Sequence, residues 1–319
     1  MTIGGHLEEL YGLPAFTFPG SGGTPRELPG PDAVAWRITA DTYDAEERWT
    51  EAFARFCSAV DTTRVRALVV GAWEDAYERS SADIVEALVA AGDRLPGLRA
   101  LFVGDMHFEE CEISWITQTD VTPLLAAFPD LEEFGVRGGQ GLRFPALRHD
   151  ALCTLIVETG GLPVDVVRGV GASELPALEN LDLWLGTSWY GADSEAADLE
   201  PILSGVRLPR LRYLALRNSE IQDEIAAAVA SAPVVARLEV LDLSMGTLGD
   251  DGATALLGGQ PLTHLKKLDL HHNYLSDPVR QRIRETLQAA GVEVDLDADD
   301  ADQDEDDDGT VHRYVSVGE

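Results

Sequence analysis

A short leucine frame returns along this chain, and no other feature limits the fold as tightly. Leu211-Arg212-Tyr213-Leu214-Ala215-Leu216-Arg217-Asn218 reads L-x-x-L-x-L-x-N, and the frame comes back at Leu178, Leu181, Leu183, at Leu238, Leu241, Leu243 and at Leu265, Leu268, Leu270. The last copy continues into His271, His272, Asn273 and Leu275. Looser copies lie upstream at Val65, Leu68, Val70; Leu98, Leu101, Val103; Leu131, Phe134, Val136; and Leu152, Leu155, Val157. The middle positions fall at 68, 101, 134, 155, 181, 214, 241 and 268, so the step varies from 21 to 33 residues. Trp36-Arg37-Ile38 extends the series upstream and Val292-Glu293-Val294-Asp295-Leu296 extends it downstream. About ten short strands follow from this pattern.

Helical patterns fill the gaps. Residues 45–60 place Trp49, Phe53 and Phe56 on one face, and residues 83–91 and 220–231 read the same way. Residues 277–290 carry Pro278 near the start and Gly291 just past the end, the asymmetry expected of a helix. Leu248-Gly249-Asp250-Asp251-Gly252-Ala253 is a turn that feeds a further helix. A single strand–turn–helix unit cannot bury its apolar side, whereas stacked units share one core. The prediction is an α/β solenoid, curved into a horseshoe, with parallel strands on the concave face and helices on the convex face. An open nucleotide-binding sheet is disfavoured, because neither G-x-G-x-x-G after a strand nor G-x-x-x-x-G-K-[ST] occurs.

Residues 60 to 296 resemble the leucine-rich-repeat proteins of the strand-and-helix type typified by ribonuclease inhibitor. The resemblance is most specific in the four C-terminal copies and implies that Asn218 and Asn273 take the family's buried asparagine position. The 21-residue step from Phe134 to Leu155 leaves no room for a full helix, so the middle should be pinched. The chain also resembles a narrower group of bacterial cytoplasmic proteins of this architecture. That likeness is carried by His6-Leu7…Gly12-Leu13-Pro14, Glu112-Ile113-Ser114-Trp115-Ile116, Leu183-Trp184-Leu185-Gly186 and Arg313-Tyr314-Val315-Ser316-Val317. The group implies no set activity. Its members tend to be encoded beside radical-SAM and ATP-grasp type enzymes, which implies a peptide-modifying pathway.

Strand side chains alternate, so the residues flanking each buried anchor should face the concave side. One such row reads Val69, Phe102, Gly135, Ile156, Asp182, Ala215, Asp242, Asp269 and Asp295. The next reads Gly71, Gly104, Arg137, Glu158, Trp184, Arg217, Ser244, His271 and Asp297. Strands about 4.8 Å apart would give an inner arc of roughly 40 Å, enough for a protein surface or an extended peptide. Arg137, Glu158, Trp184, Arg217, Asp242, Asp269 and His271 are the expected contact residues, with Trp184 as the anchor. Strand-exit loops form a second candidate face, through residues 105–120, Gly138-Gly139-Gln140-Gly141, Gly160-Gly161 and Trp189-Tyr190-Gly191.

Charge narrows the partner. With 56 acidic and 24 basic residues the formal net charge is −32, which excludes direct binding to a nucleic-acid backbone and disfavours an anionic membrane. A basic protein or peptide is the expected partner; the oligomeric state is not legible. The N-terminus lacks a signal-peptide pattern, no apolar run approaches the roughly 20 residues of a membrane span, and Cys57, Cys111 and Cys153 form no framework. A cytoplasmic location follows as an expectation.

Catalytic and metal patterns are thin. Asp242, Asp269 and His271 could approach one another, but neighbouring strand residues such as His271 and His272 point apart, and no metal or cofactor is expected. The cysteines, with His107, His149 and His264, show no triad spacing, so the chain is not expected to be an enzyme. Asp304 to Val311 copies the start of a calcium loop, yet its twelfth position is Val315 rather than glutamate. Ten acidic residues between Asp295 and Asp308 read as a repelling, extended linker. Alternating Val311, Arg313, Val315 and Val317 then read as a strand that docks on the solenoid or is offered to a partner. The resulting division is a capping segment over 1–35, the solenoid over 36–296, the acidic linker over 297–309 and the β-prone tail over 310–319. The expected function is a non-enzymatic protein- or peptide-binding scaffold; the alternative is a substrate or carrier whose tail, at Tyr314 or Ser316, is modified by partner enzymes.

Overall fold

In the computed structural model, which describes residues 4–22, 27–299, 301, 303–306, 309 and 311–319, the leucine frame is the hydrogen-bonding register of one sheet. Phe16, Trp36, Leu68, Leu101, Phe134, Leu155, Leu181, Leu214, Leu241, Leu268 and Val294 pair rung by rung. The strands are β1 (Glu9–Leu10), β2 (Leu13–Thr17), β3 (Ala35–Ile38), β4 (Ala67–Val70), β5 (Ala100–Val103) and β6 (Glu133–Arg137). They continue as β7 (Thr154–Glu158), β8 (Asn180–Gly186), β9 (Tyr213–Ser219), β10 (Val240–Asp242), β11 (Lys267–Asp269) and β12 (Glu293–Asp295). Their spatial order is their sequence order, and every pair but β1–β2 is parallel. Two strands therefore precede the ten read from the repeat.

The helices are α1 (Trp49–Ala59), α2 (Ala82–Ala90), α3 (Thr122–Ala127), α4 (Val164–Ala172), α5 (Glu200–Ser204), α6 (Gln222–Val229), α7 (Asp250–Gly258) and α8 (Asp277–Leu287). Pro278 opens α8, and Gly291, in the left-handed region, ends the short turn that follows it. Between β6 and β7 the chain forms only isolated bridges, as the short step requires. Anchor residues of the strands and the inward faces of the helices merge in one apolar core, from Phe18 and Trp36 to Leu287 and Leu296. Each such large side chain contributes about 1.5–3 kcal/mol on burial.

The opposite face of the sheet differs from the open wall expected. Over its first third, Ala35, Ala67, Val69, Ala100 and Phe102 form a second cluster with Leu7, Leu10, Tyr11 and Leu13 of the N-terminal segment. Three alanines in register give that segment a flat floor to approach. Phe102 completes the cover by lying across Gly135, where an added Cβ would run into the ring. Parallel sheets are usually buried on both faces, and here the chain supplies the second cover itself.

The asparagine reading also changes. Asn273 sits five residues past its anchor and bridges repeats: its Nδ2 donates to the Leu243 and Leu270 carbonyls, and its Oδ1 accepts from Leu248 N–H at 3.0 Å. Asn218 sits only four past, in register with Met245 and His272, and all three residues have positive φ. It is buried too, but it faces the C-terminal tail rather than the next repeat. The frame ending at Asn218 is one residue shorter than that ending at Asn273, which moves the side chain from the core to the sheet's exit edge.

Within the acidic stretch, Gln303–Glu305 (β13) pairs antiparallel with Val311–Arg313 (β14), where the sequence predicts an extended linker. His312 Nε2 reaches Asp306 at 2.7 Å and Tyr314 OH donates to Asp304 at 3.2 Å, so these carboxylates gain partners. The calcium-like loop includes positions outside the described residues. Among the described residues no helix is long and apolar enough to cross a membrane. Gly135→Ala is expected to lower stability by roughly 1–3 kcal/mol through overpacking against Phe102. Urea denaturation checks this, and an unchanged midpoint would mean that the ring moves aside freely.

Candidate functional site

The middle of the inner face is an ion network rather than an open surface. Arg37 on β3 donates through Nε to Asp105 at 2.7 Å, and its Nη2 lies 2.6 Å from the same carboxylate. Arg137 on β6 donates to Glu158 at 2.7 Å and to the Met106 carbonyl at 2.6 Å, and it approaches Asp105 at 3.5 Å. Two guanidiniums thus face two carboxylates, and Asp105 is wholly buried (0% exposed). The remaining capacity of Asp105 ties down the N-terminal segment: Leu7 N–H donates to it at 3.0 Å while Arg37 binds the Leu7 carbonyl. Arg137 also stands over the Phe102 ring.

A second network occupies the C-terminal half. Arg217 on β9 grips Asp182 on β8 with two bonds, at 3.0 and 2.5 Å, and its guanidinium stands 5.0 Å from the Trp184 ring centroid. Its other side is 3.5 Å from Asp242, which also accepts from Tyr213 OH at 3.2 Å. On β11, Lys267 reaches Asp269 at 2.9 Å, and His271 Nδ1 lies 2.7 Å from the same carboxylate. Burial raises the Asp182 carboxyl to about 6, with Arg217 opposing the rise. Burial also raises the Tyr213 phenol, and nearby Asp182 and Asp242 add to it. Asp269 behaves oppositely. Burial works to raise it, but hydrogen bonds from His271 and Lys267 outweigh that and hold it below the usual carboxylate range. The same bond to Asp269 raises the His271 imidazole.

The C-terminal tail crosses the strand ends beside this network. Tyr274 OH donates to the Tyr314 carbonyl at 2.8 Å and accepts from Tyr314 N–H at 3.0 Å. Ser316 N–H donates to the Met245 carbonyl at 2.8 Å. Asn218 forms a reciprocal pair with Val317, its Nδ2 donating to the carbonyl at 2.6 Å and its Oδ1 accepting from N–H at 2.9 Å. Ser114 Oγ then binds the Gly318 carbonyl, and Tyr190 OH binds the Glu319 carboxylate. Ile113, Trp184, Met245 and Val317 close into a small apolar cluster beneath.

Of the seven expected contact residues, the structure gathers all on one face but opens few of them to solvent. Arg137, Glu158, Trp184, Asp242 and Asp269 are buried; Arg217 and His271 are half-buried. Trp184, the expected anchor, is only 7% exposed because the tail and Arg217 cover it. What stays open is the C-terminal end, where Asp269, His271, Asp295, Asp297 and Asp299 line a recess of about 250 Å³. The sequence reading did not place Arg37 on this face, gave Asp105 only as part of a strand-exit loop, and gave the N-terminal segment only as a cap. The available signal was an arginine between two core residues, Trp36 and Ile38.

Among the described residues two groups could hold a cation: His6, His107 and Glu110, and Asp269, His271 and Asp295. The second replaces the expected Asp242 by Asp295, and its Asp269 already serves Lys267 and His271. Burial raises the thiols of Cys57, Cys111 (to about 12) and Cys153, which leaves none of them poised as a nucleophile. His149 and His264 bond the backbone, at the Phe128 and Val235 carbonyls.

A family model described as a leucine-rich repeat matches residues 238–257. A crystal structure of a protein from Bacteroides fragilis superimposes with TM-score 0.73 at 28% identity, covering 85% of this chain and 73% of that one. This is a leucine-rich-repeat protein. Tonsoku-like protein of Bos taurus is 36% identical over 102 residues, 30% of this chain and 7% of that protein. The leucine-rich-repeat chain therefore spans a small part of that curated relative. An internalin from Listeria monocytogenes, at TM-score 0.37 and 16% identity over 73% of this chain and 67% of that one, is too distant to carry an argument.

Two predictions follow from the networks. Asp105→Ala leaves Arg37 and Arg137 buried without their shared carboxylate and should cost about 3–5 kcal/mol in chemical denaturation. A loss below about 1 kcal/mol would place the N-terminal cover's stability in its apolar contacts alone. His271 should titrate by NMR above 6.5, the ordinary imidazole value, and Asp269→Asn should bring it down. The stabilisation from a raised histidine is complete below 6.5 and lost as pH rises through the folded-state value, while that from the lowered Asp269 is lost as pH falls below about 3.8. The pair should therefore support the fold most between those limits.

Proposed function

We propose that this protein is a non-catalytic scaffold that binds a basic protein or peptide against the C-terminal half of its inner face. The observation that carries this reading is the ladder Asp182, Asp242, Asp269 and Asp295, one carboxylate per rung on adjacent rungs save Ala215, faced among the described residues by Arg217, Lys267 and, when protonated, His271. Asp297 and Asp299 extend the excess of negative charge at the open end. Such a surface speeds encounter with a basic partner and selects against acidic ones.

The shifted groups of this face do not favour catalysis. Asp182 accepts two bonds from Arg217; Asp242 accepts from Ser244 N–H and Tyr213; Asp269 accepts from His271 and Lys267. The shifts of Asp182 and Asp269 arise from burial and from the hydrogen bonds and charges of this network, as in structural ion networks. A tail-modification role meets a further constraint: Ser316 is 7% exposed in the docked tail, so an enzyme would reach it only after undocking, whereas Tyr314 is half exposed.

The test compares affinity capture by the wild-type chain and by Asp269→Lys/Asp295→Lys at low and high salt. A partner retained by the wild type should be lost at high salt and bound on the order of tenfold more weakly by the double variant, about 1.4 kcal/mol. Equal retention by both chains would move the interface to another face.

A further inference from the structure

We propose that the groove holding the C-terminal tail is a binding site for an extended peptide from a partner, and that residues 314–319 are its displaceable resident. This rests on the scaffold reading above and assigns a second chemistry to a distinct part of the same face. The groove reads main chain. Tyr274, the Met245 carbonyl, Asn218 and Ser114 bond the backbone of residues 314, 316, 317 and 318, and none of these bonds requires a particular side chain on the peptide. Asn218 is held for this task. It takes the left-handed turn that Met245 and His272 take on their own rungs, and its amide supplies one donor and one acceptor to the tail, as a neighbouring strand would. Gly160 lets the peptide lie flush, since a Cβ there would strike the Gly318 carbonyl.

Side-chain selection is coarse. Val315 and Val317 are buried, the latter against Ile113, Trp184 and Met245. A ligand therefore needs small or β-branched apolar residues at alternate positions of a strand-like segment.

The resident is an incomplete fit. Trp184 Nε1–H, in the cluster with Val317, and Ser244 Oγ, one residue before the tail-binding Met245, are buried with no hydrogen-bond partner among the described residues. A buried donor left unpaired carries its full desolvation cost. The tail is nevertheless favoured because the acidic stretch tethers it and raises its local concentration. A free peptide that presents an acceptor to the indole N–H recovers what the tail lacks. The acceptor should be neutral, as in Asn, Gln, Ser or Thr, because Asp182 and Asp242 already oppose the single Arg217 charge beside the indole and leave none for a further carboxylate. The occupant is thus an extended partner segment with alternating β-branched residues and one neutral acceptor. Exposed Trp115 (54%) and Trp189 (87%), next to the tail-binding Ser114 and Tyr190, extend the surface available to the rest of that partner.

The experiment uses the full chain, its Val317→Asp variant, and a fluorescent peptide copying residues 313–319. Hydrogen exchange should show the amides of 316 and 317 protected in the wild type and released in the variant. The peptide should bind the variant at least tenfold more tightly than the wild type, and adding Asn218→Asp should remove that gain. Should the single variant stay docked, Val315→Asp/Val317→Asp takes its place with the same two readouts. Released amides without any gain in peptide affinity would overturn the proposal. A wild-type chain whose mass doubles in light scattering, with the amides still protected, would overturn it in favour of a second copy's tail. Failure here with salt-sensitive capture intact would remove the groove and leave the acidic face standing.

Discussion

Asp105 is the group on which the inner face depends. A carboxylate with no exposure is sustained only by partners that compensate its lost hydration, and this one has Arg37 and Arg137 from two strands plus the Leu7 amide. Through those bonds three separate stretches of chain are fixed to one point: the N-terminal segment, β3 and β6. The apolar cover of Leu7, Leu10, Tyr11 and Leu13 then settles on the alanine floor. Without that anchor the first third of the sheet would present Val69 and Phe102 to water.

The same principle divides the inner face into functions. Its first third is closed by the N-terminal segment, its middle by a balanced ion network, and its exit edge by the tail. Only the last rungs keep unbalanced charge and access. An arc read from strand spacing as roughly 40 Å of open wall is therefore a much shorter binding surface. Arg217 joins the two regimes, with one side on Asp182 and Trp184 beneath the tail and the other on Asp242.

Much of the fold was legible because leucine spacing and strand pairing are the same physical fact. Each anchor from Trp36 to Val294 pairs with the next, and Pro278 and Gly291 bracket the last helix as their backbone preferences require. The site was legible only as a set of residues on one face. Arg137 and Trp184 were placed correctly on their strands, yet alternation says which side a residue takes and nothing of what lies over that side. The covering segments come from the two ends of the chain, where no repeat predicts a contact. Asn218 was misread for a related reason: a one-residue difference from the Asn273 frame changes its backbone region and its partner.

The tail also alters how the array must hold together. In a repeat solenoid each unit touches only its neighbours, so stability is a sum of local terms and the ends are free to fray. Here the bond from Ser114 to Gly318 joins positions 204 residues apart, and Asn218 to Val317 spans 99. Those contacts can form only after the repeats between them have stacked in register. The docked tail therefore converts a one-dimensional stack into a closed circuit, in which residues 316–318 report that the repeats from residue 114 onward have been assembled.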